Sequence, residues 1–185
     1  MPRWKADFNP ESLYFVTTTA VRKAHIFRRD VMKRILIDSL SYMRTQRWTE
    51  LYAFVVMPNH LHFIARCLPD HPLADVLRDF KKHTAKQTIR QYQAEGNQKV
   101  LAFLAEAVPR PQKQRYKVWD DDYDAKEVFT PEFLKQKMDY IHNNPLQPHW
   151  CLAERAEEYP WSSARFFLMD EPALIALDDA RKLMV

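Results

Sequence analysis

Glycine is almost missing from this 185-residue chain, Gly96 being the single one. A Walker-type phosphate loop and a dinucleotide fingerprint each need several glycines close together, so neither nucleotide-binding device is available. Cysteine is scarce too. Cys67 and Cys151 are too few and too far apart for a disulfide framework or a Cys-x-x-Cys metal site, and both are expected to be reduced thiols. Hydrophobic residues make up 46% of the chain, but they are dispersed. No apolar run approaches the ~18–20 residues that cross a bilayer, so no membrane partner is expected. There is no internal repeat or low-complexity tract. The opening Met1-Pro-Arg-Trp-Lys-Ala-Asp7 lacks the apolar stretch of a signal peptide, which implies a cytoplasmic protein. The net charge of +4, from 28 Lys+Arg against 24 Asp+Glu, permits nucleic-acid binding without demanding it.

What is present is an alternation of strand and helix signals. Leu13 to Thr19 is β-branched and aromatic, a first strand. From about Asp30 to Gln46, Met32, Ile35, Leu36, Leu40 and Met43 recur near helical spacing. Leu51 to Met57 is an apolar strand, Pro58-Asn59 a turn, and Leu61 to Leu68 the returning strand of a hairpin. A second helix starts near Pro72 with Leu73, Val76, Leu77 and Phe80 on its apolar face. Asn97 to Arg115 reads as a short helix followed by an inserted basic loop. Tyr116 to Trp119, with Lys126 to Phe129, offers the last strand. A third helix is expected from Thr130-Pro131 to about Asn143, with Thr130 as cap and Pro145 as stop. The order βαββαβ plus a helix predicts an α+β fold: a ferredoxin-like split βαβ core, a four-stranded antiparallel sheet with helices on one face, then a C-terminal helix and tail.

Two short stretches carry chemistry. His60 and His62 stand two apart on a strand and so share a face. An isolated His-x-His is more often a pair of hydrogen-bonded core imidazoles than a metal site. A metal needs a third ligand, and mixed nitrogen and oxygen donors with open positions suit a catalytic divalent ion. The third helix offers what is missing. Leu134, Met138 and Ile141 form its buried stripe, and Tyr140 and Asn144 lie about 40° apart on one flank with a rise of about 6 Å. Asp139 and His142 are projected away. Taken alone, Asn144 reads as a C-terminal cap and Tyr140 as a core-edge phenol. Together with the histidines they make a metal beside a tyrosine nucleophile, a device for cutting a DNA strand.

Cations gather on the second helix at Lys81, Lys82, His83, Lys86 and Arg90, and Arg110, Lys113 and Arg115 follow in the basic loop. A solvated charged face would look similar, but only Asp79 interrupts the arc, so it is read as a track for phosphates. Trp119, Trp150 and Trp161 are candidates for stacking on unpaired bases, core packing being the plainer reading of each.

The blocks Val55-Val-Met-Pro-Asn-His-Leu-His-Phe-Ile64, Phe80-Lys-Lys-His-Thr84, Tyr140-Ile-His-Asn-Asn-Pro145 and Tyr159-Pro-Trp-Ser-Ser-Ala164 resemble the REP-associated tyrosine transposases, single-tyrosine HUH nucleases related to small insertion-sequence transposases. The likeness runs from about Tyr14 to Phe167. It implies that His60 and His62 are the metal-binding pair, Tyr140 the nucleophile and Asn144 the residue completing the site. It also implies Mg²⁺ or Mn²⁺, single-stranded DNA with hairpins as partner, a monomer or homodimer, and residence at the nucleoid. Attack by Tyr140 would leave a 5′-phosphotyrosine and a free 3′-hydroxyl. Residues 1–148 would form the catalytic domain and 149–185 a tail packed upon it. Two departures stand out, the long Asn97–Arg115 segment and the acidic Asp120-Asp-Asp-Tyr-Asp124. The alternatives are a non-catalytic nucleic-acid-binding regulator on the same fold, and a metal hydrolase that activates water and forms no covalent intermediate.

Overall fold

A computed structural model describes residues 8–184, so the expectation drawn from the first seven residues lies outside the described ones. The elements run β1 (Leu13–Thr19), α1 (Asp30–Thr45), β2 (Thr49–Val56), β3 (His60–Cys67), α2 (Leu73–Ala94), α3 (Gln98–Glu106), β4 (Asp124–Val128), α4 (Pro131–Asn143) and α5 (Ala164–Met169). The sheet order is β2-β3-β1-β4 with every pair antiparallel, the split βαβ arrangement expected from the element order. Among the described residues no helix is long and apolar enough to cross a membrane.

Local chemistry explains the boundaries. The Met57 N–H donates to the His60 carbonyl at 2.8 Å and closes the hairpin turn between β2 and β3. Pro72 precedes α2, whose buried face repeats in steps of three and four through Leu73, Val76, Leu77, Phe80, Thr84, Thr88 and Tyr92. Gly96, at φ 65°, follows the end of α2 where a left-handed residue is needed and a side chain would be strained. Asn97 then caps α3 by accepting the Val100 N–H. Thr130 caps α4 through Phe133 N–H, and Pro131 occupies its first turn.

Of the two stretches expected for the last strand, the second holds. The fourth strand is Asp124–Val128, overlapping Lys126 to Phe129, while Tyr116 to Trp119 forms only the isolated bridge Ala20 to Trp119. Val118 and Trp119 are apolar because they are core. Trp119 lies 4.6 Å from the Phe27 ring, and its indole N–H donates to Thr84 Oγ1 at 3.0 Å. Trp161 is also buried, with Lys33 and Arg34 over its ring, so of the three tryptophans only Trp150 is available near the site.

Both faces of the sheet are covered, the second by the C-terminal helix that the element order sets apart from the core. Phe15, Thr17, His60 and His62 share a face, and α4 packs there through Tyr140 and Lys137. Tyr14 points to the opposite face, where Phe8 meets it edge-on at 5.1 Å and extends under α2. The tail lies along the outer edge of β2. Val56 N–H donates to Trp161 O, Ser163 N–H to Phe54 O and Asp178 N–H to Leu51 O. Asp178 also receives a paired contact from Arg44, at 3.0 Å for each bond.

Candidate active site

β3 presents its two imidazoles side by side, with ring centroids 4.5 Å apart. Each is oriented through Nδ1. His60 Nδ1 lies 2.6 Å from Asn59 Oδ1, and the same carboxamide donates through Nδ2 to the Lys23 carbonyl at 3.1 Å. That second bond fixes which end of Asn59 is the oxygen, so His60 Nδ1 carries the hydrogen and Nε2 keeps its lone pair. His62 Nδ1 meets Thr17 Oγ1 at 2.8 Å across the β1–β3 ladder, and a hydroxyl that accepts from Nδ1–H would leave Nε2 its lone pair as well. Orienting a ligand histidine through its other nitrogen is the usual support of a metal site.

Burial keeps both rings neutral. It lowers His60 to about 4, an effect that Asn144 partly opposes and His149 reinforces. His62 falls to about 3, again first through burial, then through His60 and the Lys137 ammonium. Neutral imidazole is the form that binds a cation.

α4 brings the remaining groups from below. Tyr140 is half exposed at 46%, and its ring sits 5.2 Å from His62 and 5.9 Å from Phe15. One turn on, Asn144 is buried against His60, and its Oδ1 makes no hydrogen bond of ordinary geometry. Buried polar atoms are normally satisfied, so an orphan oxygen beside a lone-pair nitrogen calls for an explanation. A cation between them supplies one. No cluster of three or more His, Cys, Asp or Glu side chains exists among the described residues, so the donor set that fits an ion here is two imidazoles and an amide oxygen. His60, Tyr140 and Asn144 line one cavity of about 360 Å³ together with Thr19, Lys23, Asn59, Gln147, His149 and Trp150.

His142 points away from the cavity, as its helical position projects, and packs against the tail. It is buried, and its Nε2 lies 2.9 Å from Ser163 Oγ, which in turn accepts the Phe54 N–H at 3.0 Å. The imidazole therefore ties α4 to the tail and to β2, away from the cavity.

The expected cationic track is divided. Lys82, Lys86, Arg90, Lys113 and Arg115 line one groove of about 1220 Å³ between α2 and the 113–125 loop. His83 and Arg110 are exposed but outside its lining. Lys81 is used by the fold, its ammonium donating to the carbonyls of Asp120, Asp121 and Asp122. The acidic run forms the opposite rim, where Asp121 pairs with Lys117 at 2.9 Å. Thr17 faces His62 on one side and Asp124 on the other, so groove and imidazoles border the same end of the sheet.

Sequence reasoning overlooked several side chains at the cavity. Thr17 and Asn59 orient the imidazoles. Lys137 holds its ammonium 5.8 Å from the Tyr140 ring and 5.0 Å from Phe15, and Lys23 stands at the rim with φ 53°. The helical offset of Lys137, three residues before Tyr140, was a usable signal; the cross-strand partners needed the register.

The sequence matches the model of the IS200-like transposases over residues 11–144, more than half of the chain, and the protein belongs to that family. The match ends at Asn144. Among solved structures, that of a REP-associated tyrosine transposase bound to a REP hairpin superposes with a TM-score of 0.63 at 18% identity, covering 97% of this chain and 93% of the other. At that identity the likeness shows a shared fold. A Deinococcus radiodurans R1 protein described as a candidate transposase superposes at 0.47, with 20% identity over 77% of this chain and 97% of that one. No curated protein matches the sequence significantly.

Proposed function

We propose that this transposase cuts single-stranded DNA at hairpin-bearing sites by transesterification, with Tyr140 as nucleophile. The observation that carries the reading is the meeting of Tyr140, His60 and the orphan Asn144 oxygen at one cavity, with the His62 ring 5.2 Å from that of Tyr140 and 4.5 Å from that of His60. A divalent ion, Mg²⁺ or Mn²⁺, held by His60, His62 and Asn144 would supply Lewis acidity to the scissile phosphate. Tyr140 Oη gives up its proton to solvent and attacks phosphorus, the bond to the 3′ oxygen breaks, and that oxygen takes a proton from solvent, so no net proton is consumed. A 5′-phosphotyrosine and a free 3′-hydroxyl result, with one phosphodiester exchanged for another and no nucleotide cofactor required. Lys137 and Lys23 stand where phosphate charge would accumulate.

The groove lined by Lys82, Lys86, Arg90, Lys113 and Arg115 supports a hairpin stem as the partner, and the relative solved with a REP hairpin favours the same substrate class. Asp124 on the groove rim and His62 are two strands apart across β1, about 10 Å. A stem in the groove would thus deliver its single-stranded flank to the cavity.

The test is denaturation-resistant attachment of labelled hairpin oligonucleotide in Mn²⁺. Wild type should form the adduct, and Tyr140→Phe should form none while binding the oligonucleotide with nearly unchanged affinity. An adduct that survives in Tyr140→Phe assigns the attack to another residue and defeats the reading. Cleavage by wild type without any adduct favours the hydrolase.

A further inference from the structure

Beyond the cavity, the entry to α4 carries an exposed ring that neither core packing nor the cutting chemistry uses. Phe129, just ahead of the helix cap, is 77% exposed, a large departure for a phenylalanine. Its ring lies 5.7 Å from that of half-buried Phe133 with an interplanar angle of 25°, so the two are stacked and most of the Phe129 ring stays open to solvent. Phe133 is followed one turn later by Lys137, whose ammonium is 5.0 Å from both the Phe133 and Phe15 rings and 5.8 Å from Tyr140. Phe15 closes the series by meeting Tyr140 edge-on and stacking on His62 at 5.3 Å. Ring contacts and one cation thus link the entry of α4 to the reacting centre, with Phe15 buried beneath them. Among the described residues no carboxylate pairs with Lys137.

We infer that Phe129, Phe133 and Lys137 form a stacking platform for the unpaired bases that flank the scissile phosphate. The claim rests on the single-strand cutting assigned to Tyr140 above and specifies how the strand is held. Phe133 to Tyr140 spans seven residues, about 10 Å of helix. At about 3.4 Å per stacked nucleotide that is room for about three bases. The chemistry matches a single strand better than a duplex or a protein. Base faces stack on exposed rings regardless of sequence, and Lys137 neutralises the backbone phosphate between them. A duplex hides its base faces. A second protein copy would be expected to bury more than two rings, and the polar neighbours Glu132, Lys135 and Gln136 are all exposed.

The experiment uses the full chain with two oligonucleotides, a hairpin stem alone and the same stem with its single-stranded flank. Phe129→Ala is the chief variant because so exposed a side chain can be removed without opening the core, and Phe129→Trp restores an aromatic face. Phe129→Ala should weaken binding of the flanked hairpin on the order of tenfold, leave the stem alone unaffected, and reduce quenching of 2-aminopurine placed in the flank. Phe129→Trp should recover both. An abasic site at the quenched position should bring wild type and Phe129→Ala to the same affinity. Equal affinity of Phe129→Ala and wild type for the flanked hairpin overturns the platform, as does equal loss on the bare stem. A change in molar mass by light scattering in Phe129→Ala would instead make the patch a contact between copies. The two readings fail separately: if wild type forms no adduct on any single strand, the cutting chemistry fails, whereas adduct formation with an unaffected Phe129→Ala removes the platform alone.

Discussion

Replacing Asn144 by leucine should make the metal-free protein more stable while disabling it. Asn144 is 4% exposed and its Oδ1, set against the His60 ring, makes no hydrogen bond of ordinary geometry, so the folded state carries a poorly compensated polar atom. Such a group costs about 1–3 kcal/mol, and a leucine of similar size removes that cost. Taking about 1 kcal/mol as the net gain, a chain of this length should melt about 2–4 °C higher in chelator. The ranking must reverse in metal. An ion at one hundred times its dissociation constant stabilises the wild type by about 2.7 kcal/mol, or about 5–10 °C, and the leucine variant lacks the ligand that makes this possible. Thermal denaturation in chelator and in graded Mn²⁺ measures both halves. A variant that melts below wild type in chelator would show that the Asn144 amide is satisfied in solution. A variant that keeps the full Mn²⁺ shift would show that Oδ1 is not a ligand. Either result refutes the reasoning, and neither depends on cleavage activity.

Other consequences can be measured directly. Lys82→Ala with Lys86→Ala should lower the slope of log affinity against log salt for the hairpin by about 1.4–1.8, the contribution of two phosphate contacts; an unaltered slope makes the groove a solvated surface. Acid stability should reveal His142, which burial lowers from 6.5 to about 4. Below pH 6.5 the unfolded chain takes up a proton that the folded site refuses, so stability falls as pH drops from 6.5 towards 4, by about 3 kcal/mol for this group. In urea titrations at pH 7 and pH 4, His142→Gln should lose about 3 kcal/mol less than wild type, and parallel losses would show that the imidazole titrates freely.

The parts of the fold that were legible are those that burial marks in the sequence. β2 and β3 are nearly continuous buried runs either side of a turn, and α1, α2 and α4 carry buried stripes at helical spacing, as Leu134, Met138 and Ile141 illustrate. β4 lacked such a mark. Only Val128 of Asp124–Val128 is buried, because an edge strand with a polar outer face has no alternation to display. The apolar Tyr116–Trp119 attracted the strand assignment because hydrophobicity reports burial, not ladder pairing. In the candidate site, His60, His62, Tyr140 and Asn144 were readable because strand and helix spacing place each pair on one face. Thr17 and Asn59 were not, since their contacts with the imidazoles come from a cross-strand register and a turn conformation. The direction of His142 was readable from helical spacing, but its burial was not, because the tail supplies a second packing surface through Ser163.

The strip of tail lying on β2 also bears on assembly. With that side of the sheet capped by Trp161, Ser163 and Asp178, the one flank left for strand addition among the described residues is β4. There the chain offers only five residues, three of them charged before Val128, a blunted margin of the kind that discourages pairing with another backbone. Should two molecules cooperate on one DNA, they must therefore meet through side-chain surfaces or through the nucleic acid itself, and not by extending a common sheet.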